Sequence, residues 1–535
     1  MTAISSEGLP PPLPPFALAA VGALAAFDLG LHWATNALTA FGVHRDEFLY
    51  LAAGRHLHVW RMDFPPGIAV LARLQHAVLG DSLFAIRAAS GVAGAIVVVL
   101  AALIARELGG GRFAQCFAAF AIVANPLFLR AADLFQPVVF DQLCWTLGLY
   151  CLVRLARADA IANTAGGSAE QEARSVGAQW WIVIGVVCGI GLLWKFTELT
   201  LVWGIVAALL LTSRGEWLAT KWPWVALLLT CAIGSPSIVG QVRLHYPLIG
   251  QFHELSRSQL AHSSPMTWVD DMIVLGPTIL LAIAGALALV LGRAFAPFRI
   301  VGLTCIIAFA TIFALHGKHY YAAPVYPTLF AAGAVWLERV SDGRFGWSIR
   351  ATGTAAILFY MIIALPLSIP ILAPDSLVRY AAKVGLSAAE RTNSGTRLSL
   401  PQDFADMLGW PEQVAAVAAV YRALPAEQQA QVVIVGGNYG EAGAIDFYGP
   451  RYHLPPAICT QGSYYLFGPG TRPGVVTISL GPDSAALSGM FDSVRRVGRV
   501  VNPLGVAEEQ DVPIWLAESP HRSWQDEWPS LAGRC

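Results

Sequence analysis

Apolar runs, the longer of them about twenty residues and so long enough to cross a bilayer, recur along this chain from Phe16 to Ile371. Eleven stretches read as candidate spans. They are Phe16–Leu38, Leu83–Ile104, Phe113–Leu129, Val138–Leu155, Trp180–Trp194, Leu199–Leu211, Trp224–Val239, Met272–Leu291, Ile300–Leu315, Ala322–Leu337 and Ala351–Ile371. Several fall short of about 17 residues and cross only with help from flanking groups or a thinner bilayer. Charged residues make up 13% of the chain, against about 25% in soluble domains. The fold class expected is a polytopic α-helical membrane protein.

Composition shifts after Pro374. The expected division is a short tail (1–15), a membrane domain (16–373) carrying an outer first loop (39–82), and a polar domain (374–535). Gln431–Gly436 and Val475–Leu480 read as buried strands. Pro411 and the Gly481–Ser484 turn each open a helix. Strands alternating with helices imply a small α/β domain with a largely parallel sheet.

Loop charges set the orientation. Arg106, Arg112, Arg154, Arg157, Arg174, Arg214, Lys221, Arg293, Arg299, Arg339, Arg344 and Arg350 fall on one side. Arg130, Lys195, Arg243, Arg257 and Lys318 fall on the other. The richer side reads as cytoplasmic, which puts the N-terminus inside and the C-terminal domain outside. The first loop then lies outside although it holds Arg45, Arg55, Arg61 and Arg73, which suggests that these groups meet something anionic. The net charge of −1, with no basic stripe, predicts no nucleic-acid partner.

No Cys/His ligand spacing predicts a zinc site. Cys459 and Cys535 lie in the polar domain, where an exported location permits a disulfide between them.

The chemistry is expected at the outer mouths of the spans, where ionisable groups are costly unless paired or used. Asp46 and Glu47 follow the first span. Either serves as a proton acceptor or as a helix cap. On a helix, Asp46 and Tyr50 share a face. Asp63 precedes Phe64-Pro65-Pro66-Gly67 and a helix expected to lie in the membrane interface, as a catalytic acid or a helix-start acid. Asp133 and Asp141 need partners, which Arg45, Arg55 or Arg130 can supply, or they bind substrate. Lys318, His319, Tyr320 and Tyr321 bring an ammonium, an imidazole and phenols to the level of a lipid headgroup, and a lysine suits phosphate. Lys195 and Glu198 read as an ion pair in a tight turn.

These pieces, in this order, resemble the GT-C-fold, lipid-phosphate-dependent glycosyltransferases of the family-39 type. That group is related to the protein O-mannosyltransferases and the lipid A aminoarabinose transferase. The resemblance rests on Arg45–Leu51, Asp63–Pro66, Phe140-Asp141-Gln142-Leu143 and Lys318–Tyr321 with Pro324 and Pro327. Asn438–Ala442 and Gly462–Tyr465 in the outer domain add to it. It implies a bacterial plasma-membrane enzyme that moves a sugar from a polyprenyl-phosphate donor to an extracytoplasmic hydroxyl on a lipid, glycan or protein, with inversion. Asp46 is the implied base. Where the aminoarabinose transferase carries a phosphate-binding lysine, this chain has Phe64, so the phosphate falls to Lys318, Arg61 or Arg55. Some relatives use a divalent metal, and metal use stays open here. Two other readings compete, a lipid-linked sugar transporter and a non-catalytic assembly protein with an outer binding domain. Charge gathered at outer mouths rather than at the midplane favours the enzyme.

Overall fold

A computed structural model describes residues 13–164, 167–258, 268, 272–385, 398–481 and 484–532. The chain packs as two compact units. The first is built from the described parts of Met1–Ala37, Val59–Gly67 and Arg87–Ile369, the second from Leu38–His58, Ile68–Ile86 and Pro370–Cys535. The first loop, read from sequence with the membrane part, therefore contributes two stretches to the second unit.

The helices of the N-terminal half are α1 (Leu18–Leu38), α2 (Arg45–Arg55), α3 (Gly67–Leu79), α4 (Leu83–Glu107), α5 (Arg112–Val123), α6 (Pro126–Asp133), α7 (Pro137–Thr164), α8 (Ser168–Leu192) and α9 (Glu198–Leu211). Further on come α10 (Trp222–Ile233), α11 (Ser235–Arg243), α12 (Thr278–Leu291), α13 (Arg299–Ala314), α14 (Tyr326–Val340) and α15 (Gly346–Ser368). Among the described residues six helices are long and apolar enough to span, or nine if each bent pair counts once. The expected count of about eleven is not reached.

The difference has local causes. Phe113–Leu129 reads as one run but is α5 and α6 meeting at 61°. Asn125 caps α6 by accepting from Leu127 N–H at 3.0 Å, and Pro126 occupies its first turn. Trp224–Val239 breaks in the same way into α10 and α11, at 55°, around Gly234 and Pro236. The eighth and tenth expected spans are helices of 14 and 15 residues, α12 and α14.

The first unit's core is a continuous apolar cluster that includes Trp145, Leu149, Phe298 and Phe330. Inside it α1 carries a polar row at helical spacing, Asp28, His32 and Asn36, all buried. His32 Nδ1 lies 3.3 Å from Asp133 Oδ1, and Asn36 Nδ2 donates to the same oxygen at 3.3 Å. Arg87 donates to Asn36 Oδ1 at 3.1 Å.

In the second unit five strands, β1 (Val433–Val435), β2 (Ala457–Ile458), β3 (Val476–Leu480), β4 (Phe491–Val501) and β5 (Asp511–Pro520), form a sheet in the order β2-β1-β3-β5-β4. β1 runs parallel to β2 and β3, but β5 is antiparallel to both β3 and β4. The sheet is therefore mixed rather than largely parallel. A short connection joins β4 to β5 with no crossover helix, which dictates an antiparallel pair. Both expected strands form, as β1 and β3, and the helix expected from Pro411 is α16 (Trp410–Ala423). The helix expected to open at Gly481–Ser484 is Ser484–Ser488, five residues long. Cys459 is buried and free, and Cys535 lies outside the described residues.

Candidate active site

In the second unit, α2 starts where His44 and Glu47 form a capping box. His44 Nδ1 accepts from Asp46 N–H at 3.1 Å, and Glu47 Oε2 accepts from His44 N–H at 2.8 Å. Glu47 is fully buried in this role. The cap leaves Asp46 on the half-exposed face of α2. There the Tyr439 hydroxyl donates to Asp46 Oδ1 at 2.7 Å. Tyr439 opens α17 (Tyr439–Tyr448), itself capped by Asn438. Burial, with the Asp46 charge beside it, holds the Tyr439 phenol well above its usual range, so it stays a donor. Tyr50, one turn along α2, acts electrostatically on the same phenol. Asp46 and Tyr50 thus share a face as expected, and Tyr439 joins them.

The Arg45 guanidinium lies over the Tyr439 ring, 5.8 Å from its centroid. Its Nε lies 3.2 Å from Asp406 Oδ1, and its terminal nitrogen donates to Glu508 at 2.7 Å. The close packing of α2 on α17 depends on small residues. A Cβ on Gly440 would meet Arg45 Cγ at 2.6 Å, and one on Gly443 would meet Phe48 Cβ at 2.5 Å. Phe48 is ringed by Trp410, Phe447 and Tyr448, with centroids 5.7–5.9 Å away. Arg55, at the far end of α2, donates to the Asp446 carbonyl at 2.8 Å.

The first unit holds a second constellation. Thr197 Oγ1 donates to the Asp141 carboxylate, 3.0 and 2.9 Å from its two oxygens. Lys195 Nζ stands 3.9 Å from the Tyr321 ring centroid and 5.2 Å from that of Tyr320. Burial is the largest influence on this ammonium and lowers it to about 8. The Asp141 charge opposes the drop, and the like charge of Lys318 adds to it. Two lysines thus bear on one another at the end of the spans, beside the buried Asp141. The Asp63–Gly67 turn docks on the same corner. Gly67 N–H donates to the Leu193 carbonyl at 2.7 Å, and the Gln241 amide holds the Asp63 carbonyl at 2.7 Å. Asp63 is buried in that turn. His319 packs edge-on to Tyr320, with centroids 6.1 Å apart.

The structure therefore gathers Asp63, Asp141, Lys318, Tyr320 and Tyr321 in one unit and Asp46 and Tyr50 in the other. Some expected partners change. Asp133 is held by His32 and Asn36 rather than by an arginine, because Arg130 donates to the Leu367 and Ser368 carbonyls at 2.6 Å. Asp141 turns to Thr197 and Lys195. Glu198 is buried, and no ion pair joins it to Lys195 among the described residues. Arg61 is exposed. Sequence reasoning missed Tyr439 as the partner of Asp46 and passed over Lys195 as the cation on the Tyr320–Tyr321 pair. The only hint of the latter was a lysine between two apolar runs. No group of three or more His, Cys, Asp or Glu side chains placed to hold a metal occurs among the described residues.

Residues 63–166 and 169–239 match the family model described as dolichyl-phosphate-mannose-protein mannosyltransferase. No curated protein matches the whole sequence significantly. Among solved structures, ArnT from Cupriavidus metallidurans bound to undecaprenyl phosphate superposes with a TM-score of 0.58 at 15% identity, covering 93% of this chain and 98% of its own. The oligosaccharyltransferase AglB from Archaeoglobus fulgidus, in complex with an inhibitory peptide and a dolichol-phosphate, superposes at 0.51 and 11% identity. That match covers 86% of this chain and 69% of AglB. The resemblance read from the sequence motifs is borne out: this chain has the GT-C fold of the lipid-phosphate-dependent glycosyltransferases, and about a third of it carries the sequence signature of the protein mannosyltransferase family.

Proposed function

We propose that the chain is a membrane glycosyltransferase that moves a hexose or pentose from a polyprenyl-phosphate donor to a hydroxyl of an extracytoplasmic lipid, glycan or protein, with inversion. The observation that carries this reading is the lysine corner of the first unit. Lys195 lies above the Tyr320–Tyr321 pair, and the second ammonium of Lys318 raises the cost of its own charge. Such a site gains from an arriving phosphodiester monoanion, and more from the phosphate monoester dianion that leaves.

In the reaction, a carboxylate takes the proton of the acceptor hydroxyl as its oxygen bonds to the anomeric carbon. The bond from that carbon to the phosphate oxygen breaks, and the phosphate leaves with the electron pair. Lys195 and Lys318 stabilise the departing charge. Asp46 is the proposed base, accepting a hydrogen bond from Tyr439 that keeps its carboxylate oriented. The reading carries with it a bacterial plasma-membrane location, a cytoplasmic N-terminus and an outer 374–535 domain, supported by the loop charges.

The test is to incubate purified protein with labelled polyprenyl-phosphate sugars and total membrane lipid and to follow the label. Wild type yields a labelled product. Asp46→Asn, which keeps shape but not charge, loses about 10²-fold or more in transfer rate with donor binding intact. Normal transfer by Asp46→Asn, Glu47→Gln and Asp63→Asn alike removes the first loop from the chemistry. Label that crosses the bilayer unchanged makes the protein a transporter.

A further inference from the structure

Within the second unit, the C-terminal end of α2 and one face of α3 enclose a cavity of about 260 Å³ that the proposed chemistry does not use. Its polar lining is Arg55, Arg73, His76 and Asp81. Gly54 makes the cavity. A Cβ there would meet the Ala69 carbonyl, the Ala72 methyl and Arg73 N at 3.0–3.1 Å, so only glycine lets α2 come this close to α3. The approach sets Arg55 beside Arg73 and, one turn on, His76. Asp81 holds the imidazole at 2.6 Å and is the one carboxylate in the lining. The Arg73 guanidinium has no ion-pair partner among the described residues. The cavity therefore has more positive than negative charge.

Next to it, Leu74, Val78 and Leu79 of α3 are all exposed. An exposed apolar row beside a cationic hollow on a short helix is the arrangement of a segment lying at a bilayer surface. Asp46 is remote from this place. Nine residues separate it from Arg55, about 14 Å along the helix and half a turn around it.

We infer that this hollow binds the phosphodiester of an anionic bilayer phospholipid, with the acyl chains running along Leu74, Val78 and Leu79. The ligand is not the sugar donor, since a phosphate here cannot place an anomeric carbon at Asp46. Arg73 and Arg55 take the phosphodiester oxygens, and His76 takes the headgroup side. This accounts for arginines in a loop whose charge otherwise runs against its expected side of the membrane.

The test uses the full chain in nanodiscs of phosphatidylcholine with phosphatidylglycerol, and native mass spectrometry to count the lipids that stay bound. Wild type retains phosphatidylglycerol over phosphatidylcholine. Arg73→Gln lowers that retention about fivefold, the scale of one cation at an anionic surface. Arg73→Lys restores most of it, and both variants keep wild-type transfer kinetics. Four results overturn the inference: equal retention by Arg73→Gln, equal retention of the two lipids, displacement by glycerol 3-phosphate at matched concentration, or displacement by polyprenyl phosphate with a raised donor KM in Arg73→Gln. The third marks a site for soluble phosphates and the last a donor site.

Discussion

Replacing Lys195 with methionine should weaken the donor and strengthen the fold at once. The ordinary lysine pKa of 10.5 falls to about 8 here, chiefly through burial. That gap corresponds to about 3 kcal/mol against the folded ammonium. The sign follows from which state holds the proton more weakly. The cost is fully present below pH 8, where the folded side chain is still charged, and fades as pH climbs toward 10.5. Methionine removes the cost but also gives up the contact with the Tyr321 and Tyr320 rings, worth about 0.5–2 kcal/mol. A net gain of about 1–2 kcal/mol at pH 7 remains. Donor binding moves the other way. Loss of one hydrogen bond to a charged phosphate costs about 1.5–3 kcal/mol, or roughly 10- to 100-fold in affinity. Thermal melting in detergent reads the first effect, and a donor titration of the transfer rate reads the second. Lys195→Arg should keep most of the affinity. If Lys195→Met melts lower than wild type while its donor KM is unchanged, the ammonium is only a strut on the tyrosine pair, and the phosphate assignment fails.

Donor KM should rise as pH passes about 8, where Lys195 gives up its proton, and Lys195→Arg should flatten that limb of the pH profile. Tyr439→Phe removes the hydrogen bond that orients Asp46 and should lower the transfer rate about tenfold at an unchanged donor KM, the scale of one hydrogen bond to a charged group; an unchanged rate separates Asp46 from the chemistry. Gly443→Ala forces a methyl against Phe48 and should cost about 1–3 kcal/mol, seen as a lower melting temperature, whereas Gly489→Ala, with only carbonyls at 3.5 Å or beyond, should melt close to wild type. A reporter active only outside the cytoplasm, fused after Cys535, should be active, and an expressed but silent fusion reverses the orientation.

The membrane-spanning character was legible because twenty apolar residues have few other uses. The breaks within it were written in the sequence too, as Asn125-Pro126 and Gly234-Ser235-Pro236, but a hydropathy pattern averages over a capping residue. β1 was readable as an unbroken β-branched apolar run, and β3 as Val476, Ile478 and Leu480 alternating with Thr477 and Ser479, a strand period. β4 was not, since Arg495, Arg496 and Arg499 break its pattern on the exposed edge of the sheet. Asp46 in one unit, and Asp63, Asp141 and Lys318 in the other, stood out because a charge at a span mouth is costly. Lys195 was misread because nearness in sequence suggested Glu198 as its partner. The turn instead sends Glu198 into the core and Lys195 toward Tyr321. Tyr439 stood inside the Asn438–Ala442 motif, but nothing local tied it to Asp46. Its meaning lies in a partner 393 residues away.

That separation bears on how the molecule is made. A ribosome adding about 5–20 residues per second needs roughly 20–80 s to travel from Asp46 to Tyr439. For that interval α2 exists without the helix that packs on it, and Phe48 waits without Trp410, Phe447 or Tyr448. The proposed base is among the first polar residues to be translated and among the last to receive its hydrogen-bond partner. A chain released early, with its spans already inserted, has an aspartate but no Tyr439 to orient it. On the proposed mechanism such a fragment, left in the membrane by stalled synthesis, keeps both lysines of the phosphate site but lacks an oriented base.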